Sequence, residues 1–230
     1  MSLVIGHRGA PLLAGENTVA SFRAARALGA DGVELDVRRT ADGALAVVHD
    51  AHLADGRAVV DTVRADLPAG VPELADVLDA CAGLALVNVE IKNWPGDVDF
   101  DESLAFVEAV VATLRARPAG EQEHLVVSCF HLPSVDRVKE LAPDLVTGWL
   151  VIGGDDLVAQ VVDHGHQAIH PHHAFVTPEL VEQAHAEEVA VNTWTCDEPD
   201  RIAWLAGAGV DGIVTNAPDV ALAALGRVRV

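Results

Sequence analysis

Leu3-Val4-Ile5-Gly6-His7-Arg8-Gly9 and Gly32-Val33-Glu34-Leu35-Asp36-Val37 decide the fold of this chain. Each carries a short aliphatic run of the kind that forms buried strands. Between them, Asn17-Thr18 precedes the apolar-periodic stretch Val19–Leu28, and Gly29 follows it. This is a helix with a polar capping residue at one end and a glycine stop at the other. Strand, helix and strand in quick succession make a βαβ unit, with parallel strands and a right-handed crossover. In the second strand Glu34 and Asp36 are two residues apart, so alternation turns both carboxylates to one face and Leu35 and Val37 to the other.

Beyond this unit, Arg38-Arg39-Thr40-Ala41-Asp42-Gly43 leads into Ala44–Val48. Asp-Gly between strand-like runs predicts a two-residue hairpin. With Asp42-Gly43 as the turn, Ala41 opposes Ala44 and Asp36 opposes His49, which brings His49 beside the carboxylate pair. Residues 50–70 are weakly patterned, with Gly56, Pro68 and Gly70, and read as a short insertion or lid. Further strands are expected at 85–91, 125–129, 146–151, 167–169, 189–193 and 212–214. Helices are expected near 72–81, 101–116, 133–141, 155–164, 178–187, 198–207 and 218–225. With the hairpin's second arm set aside, eight strands alternate with helices, which predicts a (β/α)₈ TIM barrel over residues 1–230 as a single domain. An open doubly wound sheet is the alternative. The barrel is preferred because polar residues recur at the C-terminal strand ends: His7, Glu34 and Asp36, Glu90 and Lys92, Ser128, His170, Asn192 and Trp194, Thr215 and Asn216. A barrel gathers such residues around one mouth; an open sheet spreads them along an edge.

Half of the 230 residues are hydrophobic but only 4% are aromatic, a palette suited to an α/β core. The net charge of -20 argues against binding nucleic acid or settling stably on an anionic membrane. No stretch approaches the roughly 18 apolar residues of a membrane span. The N-terminus has no basic lead, so a signal peptide is not expected. Cys81, Cys129 and Cys196 are widely spaced and odd in number, which fits reduced thiols in the cytoplasm. Oligomeric state is not legible.

Glu34, Asp36 and Glu90 form a three-carboxylate set on strand ends, and all-oxygen ligation suits Mg²⁺ or Ca²⁺. The plain alternative for Glu-x-Asp is an exposed strand face. The alternating Leu35 and Val37 must pack against helices, which turns the acids toward the barrel interior. There three carboxylates are expected to raise one another's pKa unless a cation neutralises them. His7 and His49 are the acid/base candidates. Arg8 and Lys92 offer positive charge for phosphate oxygens, although Lys92 can equally pair with Glu90. His170-Pro171-His172-His173 reads as a loop lining the mouth, and His164, His166 and His185 read as solvated. Phe130 and Trp194 are candidate substrate-pocket residues or barrel caps. A metal, two histidines and two cations point to phosphoryl-ester chemistry, and no phosphate-cradling Gly-rich loop with Lys points to nucleoside triphosphates.

At these residues the chain resembles the glycerophosphodiester phosphodiesterase family. The resemblance is carried by His7-Arg8-Gly9, Glu16-Asn17-Thr18 with Ser21-Phe22, Gly29-Ala30-Asp31, Glu34-Leu35-Asp36-Val37, Thr40-Ala41-Asp42-Gly43, His49-Asp50, Val89-Glu90-Ile91-Lys92, Asn192-Thr193-Trp194-Thr195 and Gly209–Thr215. It implies a (β/α)₈ barrel with a small insertion after His49-Asp50. It also implies metal-dependent hydrolysis of glycerophosphodiesters to glycerol 3-phosphate and an alcohol. His7 and His49 would then be the acid/base pair, Glu34, Asp36 and Glu90 the metal ligands, and Arg8 and Lys92 the phosphate contacts. The chain departs from the family pattern at Gly15, at Asn216 and after His49-Asp50, where His52-Leu53-Ala54-Asp55-Gly56 replaces the usual Arg-Thr-Thr stretch. Two other readings use the same residues: a lysophospholipase D-like enzyme acting on lipid-bearing substrates, and a non-catalytic module that binds a phosphate ligand.

Overall fold

The computed structural model describes residues 1–227; residues 228–230 of the domain assigned above lie outside the described residues. Among the described residues nine strands are formed: β1 (Leu3–His7), β2 (Gly32–Arg39), β3 (Leu45–Val47), β4 (Leu86–Ile91), β5 (Leu125–Cys129), β6 (Val146–Val151), β7 (Ala168–Pro171), β8 (Ala190–Thr193) and β9 (Gly212–Thr215). All but β3 pair in parallel, and β1 bonds to both β9 and β2, which closes an eight-stranded ring. Helices cover the outside, so the chain is a (β/α)₈ barrel, and each barrel strand starts within one residue of its apolar run in the sequence.

The local chemistry explains the first unit. Helix Val19–Leu28 is capped by Thr18, whose side chain accepts from the Ser21 N–H, and it ends at Gly29 in the left-handed region at φ 93°. Phe22 and Ala25 face inward from it and pack on the outer faces of Val33, Leu35 and Val37. This shell between strands and helices is the main core. Inside the ring a smaller apolar floor of Ile5, Leu86, Val126 and Val214 fills the N-terminal half. Above the floor the interior turns polar, with Asn88, Ser128, His170 and Asn192 all buried. His170 fits because its ring lies over Gly148 of β6: a Cβ there would lie 2.5 Å from the imidazole Nε2.

The hairpin differs from expectation by one residue. Arg39 pairs with Leu45 and Val37 with Val47, so Val48, not His49, stands opposite Asp36. The cause is Thr40: its N–H bonds to the Ala44 carbonyl, its hydroxyl accepts from the Ala44 N–H, and Gly43 takes φ 81°. That widens the turn beyond the two residues of the Asp-Gly rule. His49 therefore sits just past the strand rather than in it. Residues 50–70 hold two short 3₁₀ turns, and Leu53, Val59 and Leu67 pack on Ala46 in a small apolar cluster of their own.

Candidate active site at the barrel mouth

Register alone sets the site. β1 pairs with β2 so that His7 neighbours Glu34, and β2 pairs with β4 so that Asp36 neighbours Glu90. One carboxylate oxygen from each of Glu34, Asp36 and Glu90 lies within 4.8 Å of the others. Just after His7 the chain turns sharply, with Arg8 at φ 54° and Gly9 at φ 91°. A non-glycine residue in the left-handed region stores strain, which is tolerated where the surroundings fix it. Here the turn aims the Arg8 N–H at the Glu34 Oε2, 3.0 Å away. Glycine is required next, because a Cβ on residue 9 would lie 2.5 Å from the Ser21 hydroxyl.

The cations the sequence singled out are drawn into the carboxylates. Lys92 Nζ donates to Glu90 at 2.8 Å and lies 3.6 Å from Asp36. Arg8 Nε lies 3.3 Å from Asp36, and Arg8 also bonds to Glu16 at 2.9 Å. Asn17, another left-handed residue, donates to Asp36 at 2.8 Å. The expected upward shift of all three acids is therefore only two-thirds right. Burial, then Asp36 and Glu90, push Glu34 well up. Burial also raises Glu90. Burial opposes ionisation of Asp36 too, but Lys92 and Arg8 outweigh it and hold that carboxylate below its ordinary value.

These donors fit a hard divalent ion. Glu34 Oε1 is buried and has no hydrogen-bond partner. An ionised oxygen in that position is costly unless a cation meets it. An all-carboxylate set is the chemistry of Mg²⁺ and Ca²⁺ rather than of zinc.

Both histidines are held by one ring nitrogen. His7 Nδ1 lies 2.7 Å from Asn216 Oδ1. That amide cannot flip, because its nitrogen donates to Asp197 at 2.8 Å. Asp197 also accepts from the Asn216 N–H and the Thr215 hydroxyl. His7 thus carries its proton on Nδ1 and leaves Nε2 open, 3.9 Å from Glu34. Burial, then Arg8, lower the His7 pKa. His49 Nδ1 lies 2.7 Å from Asp50, and Arg38 Nε donates to the His49 carbonyl at 2.7 Å, anchoring the segment that leaves β3. Arg38 is itself locked by both oxygens of Asp99.

Beside His49 opens a cavity of about 370 Å³, lined also by Glu90, Lys92, Trp94, Asp97, Phe130 and Ile152. Phe130 stands edge-on to both Trp94 and Trp194, and Trp194 donates its indole N–H to the His170 carbonyl. Sequence reasoning overlooked Trp94, Asp197 and the role of Asn17 as a partner of Asp36. Trp94 was findable, since it lies two residues beyond Lys92 on the same strand-to-loop path. His170 is not a loop residue: it sits in the barrel interior as an acceptor for Asn192, and burial lowers its pKa to about 4.

Comparison with known proteins agrees with this fold. Residues 7–220 match the model of the glycerophosphoryl diester phosphodiesterase family. The chain belongs to that family. A glycerophosphodiester phosphodiesterase of Caldanaerobacter subterraneus subsp. tengcongensis is 33% identical over 95% of each chain. Among solved structures, a Silicibacter pomeroyi protein superposes with TM-score 0.88 at 30% identity, covering 98% of this chain and 93% of that one. An Oleispira antarctica phosphodiesterase, solved with its product sn-glycerol-3-phosphate, also reaches 0.88 over 98% of this chain and 97% of its own, at 23% identity. This family member is accordingly a phosphodiesterase, a hydrolase. No helix among the described residues is long and apolar enough to cross a membrane.

Proposed function

We propose that the chain hydrolyses glycerophosphodiesters to glycerol 3-phosphate and an alcohol, with His7 and His49 as the acid/base pair. The observation that carries this reading is their matched anchoring: each Nδ1 is held by a side-chain oxygen, and each Nε2 is left for chemistry. His7, half-buried and with its pKa lowered, takes the proton of the attacking oxygen on Nε2. His49 lines the cavity and has the Asp50 carboxylate behind it to stabilise an imidazolium. It gives its proton to the departing alkoxide. The P–O bond to the alcohol breaks as the new P–O bond forms. Glu34, Asp36 and Glu90 would hold the divalent cation, Mg²⁺ or Ca²⁺, which when bound supplies positive charge for the phosphate oxygens and acidity for a hydroxyl nucleophile. With that charge added, Arg8 and Lys92 exchange part of their carboxylate contacts for the phosphate. The cavity beside Trp94 and Phe130 receives the alcohol. Net charge of -20 disfavours nucleic acid as a partner, and three buried free thiols fit a reducing cytoplasm.

The test is a panel of glycerophosphodiesters, including the choline and ethanolamine esters, assayed for glycerol 3-phosphate release with Mg²⁺, Ca²⁺ or chelator. Release only with a divalent ion is expected; equal release under chelation would remove the metal from the reading.

The lipid-bearing alternative gains one observation. Large apolar side chains are exposed on the loops after β1 (Leu12, Leu13), β4 (Trp94, Val98), β6 (Ile152) and β7 (Phe175), all at the mouth end. A lysophospholipid in the same panel tests it: release of lysophosphatidic acid at a rate matching the water-soluble diesters would favour that substrate class.

The Asn216 relay gives a pH prediction. The hydrogen bond from His7 to Asn216 raises the His7 pKa against the effect of burial. Asn216→Ala should move the acid limb of the kcat/KM profile to lower pH, while Asn216→Asp, which puts a carboxylate beside the ring, should move it higher. An unmoved limb in both variants would detach His7 from that limb.

A further inference from the structure

We propose that Asp136, His164 and His166 form a second metal site, for a borderline ion such as Zn²⁺ or Co²⁺, at the opposite end of the barrel from the catalytic mouth. Asp136 lies on the helix Leu132–Leu141; His164 and His166 lie on the loop that enters β7 from the helix Leu157–Asp163. The loop belongs to the N-terminal ends of the strands, so the cluster is remote from Glu34, Asp36 and Glu90.

The hydrogen bonds around His166 leave its Nε2 available to a cation. Gln167 Oε1 accepts from the Thr147 N–H at 3.1 Å, which fixes that amide atom as oxygen. The Thr147 hydroxyl lies 3.1 Å from that oxygen and 3.0 Å from His166 Nδ1. Without metal, the hydroxyl donates to Nδ1 and the Nε2–H donates to Asp136 Oδ1, 3.1 Å away. When the hydroxyl turns to donate to Gln167, it accepts from Nδ1–H, and Nε2 presents a lone pair beside the carboxylate. A metal ion satisfies both with the ring neutral, whereas a second ring proton would place an imidazolium on a side chain that is 0% exposed.

The remaining features match a nitrogen-and-carboxylate site. His164 Nδ1 lies 2.8 Å from the same Asp136 oxygen, and the two imidazoles stack at 6.0 Å with 19° between planes. The three ligand atoms lie within 4.8 Å of one another. Tetrahedral bonds of about 2.1 Å place ligand atoms about 3.4 Å apart, so side-chain adjustments of about 1.4 Å or less admit the ion. The chain from His166 Nδ1 to Thr147 to Gln167 is the outer hydrogen-bond support that orients a ligating histidine. The sequence reading of His166 as solvated is thus overturned: the ring is buried because Thr147 on β6 draws it in.

The experiment adds Co²⁺ to the full-length protein in saturating Mg²⁺, which keeps the carboxylate site filled with a hard ion. One equivalent of Co²⁺ should bind with the visible absorption of a four- or five-coordinate site and raise Tm. His164→Ala, at a position 40% exposed on its side chain, should abolish the absorption and the Tm rise while leaving diester turnover in Mg²⁺ unchanged. Asp136→Asn should also lose Co²⁺. It should not lower Tm in chelator, because its amide NH₂ can donate to both rings. Absence of the Co²⁺ band, its persistence in His164→Ala, or a large Tm loss in metal-free Asp136→Asn would each overturn the site, the last by pointing to an imidazolium–carboxylate pair instead.

Discussion

Replacing His49 by alanine is expected to lower kcat on glycerophosphodiesters by about 10²–10⁴-fold, and replacing His7 to do the same. The two losses should part company when the leaving group is changed. His49 lines the cavity that receives the alcohol, and its Nδ1 rests on Asp50. Its proposed task is to protonate an alkoxide. A p-nitrophenyl phosphodiester leaves as a stable anion and needs no such proton, so His49→Ala should recover most of its activity on that substrate. His7 lies outside that cavity, is half-buried, and keeps Nε2 open beside Glu34. Its task is to take a proton from the nucleophile, which every substrate requires, so His7→Ala should stay impaired on both. Steady-state kinetics on the two substrates decide the matter. Equal recovery of both variants, or of neither, would undo the division of labour; near-normal turnover of either on natural diesters would remove that histidine from the chemistry.

These assignments were legible in the sequence to different depths. The barrel was readable because its strands are apolar runs separated by amphipathic helices, and strand position depends on local pattern. The carboxylate set was readable for the same reason: alternation fixes the face of Glu34 and Asp36, and parallel register then brings Asp36 beside Glu90. The hairpin register was not, because it hangs on one hydroxyl, Thr40, bonding to Ala44. The charge balance was misjudged because Arg8 and Lys92 were assigned to phosphate or to Glu90 rather than to Asp36. Arg8 and Lys92 reach Asp36 only after the Arg8-Gly9 turn and the β2–β4 pairing are made. Asp197 could not be found from sequence at all. It lies outside the strands and acts through Asn216, across 19 residues, to fix the tautomer of a histidine at the other end of the chain.

The largest opposed effects are expected from Glu34→Gln: cation binding and turnover should collapse while the metal-free protein becomes more stable. Glu34 is buried among like charges, and its pKa is raised well above the ordinary 4.5 by burial first and then by Asp36 and Glu90. The native state therefore keeps this proton at a pH where the unfolded chain has released it. Linkage then requires stability to fall as pH rises from the ordinary value through the raised one, so at neutral pH this group works against the fold. Glutamine removes that charge, and its amide oxygen can still accept from the Arg8 N–H. A gain of about 1 kcal/mol corresponds to a Tm rise of about 2–4 °C in a chain of this size. The same change takes one of three ligands from the cation, and altering even an outer-shell partner costs about 10–100-fold in metal affinity. Thermal melts in chelator and in Mg²⁺ separate the terms. The variant should melt above the parent in chelator at neutral pH, the difference should vanish in acid where Glu34 is protonated, and Mg²⁺ should raise Tm of the parent far more than of the variant. A variant that melts lower in chelator would show that Glu34 is not a strained acid, and one that gains as much from Mg²⁺ as the parent does would show that it is not a ligand.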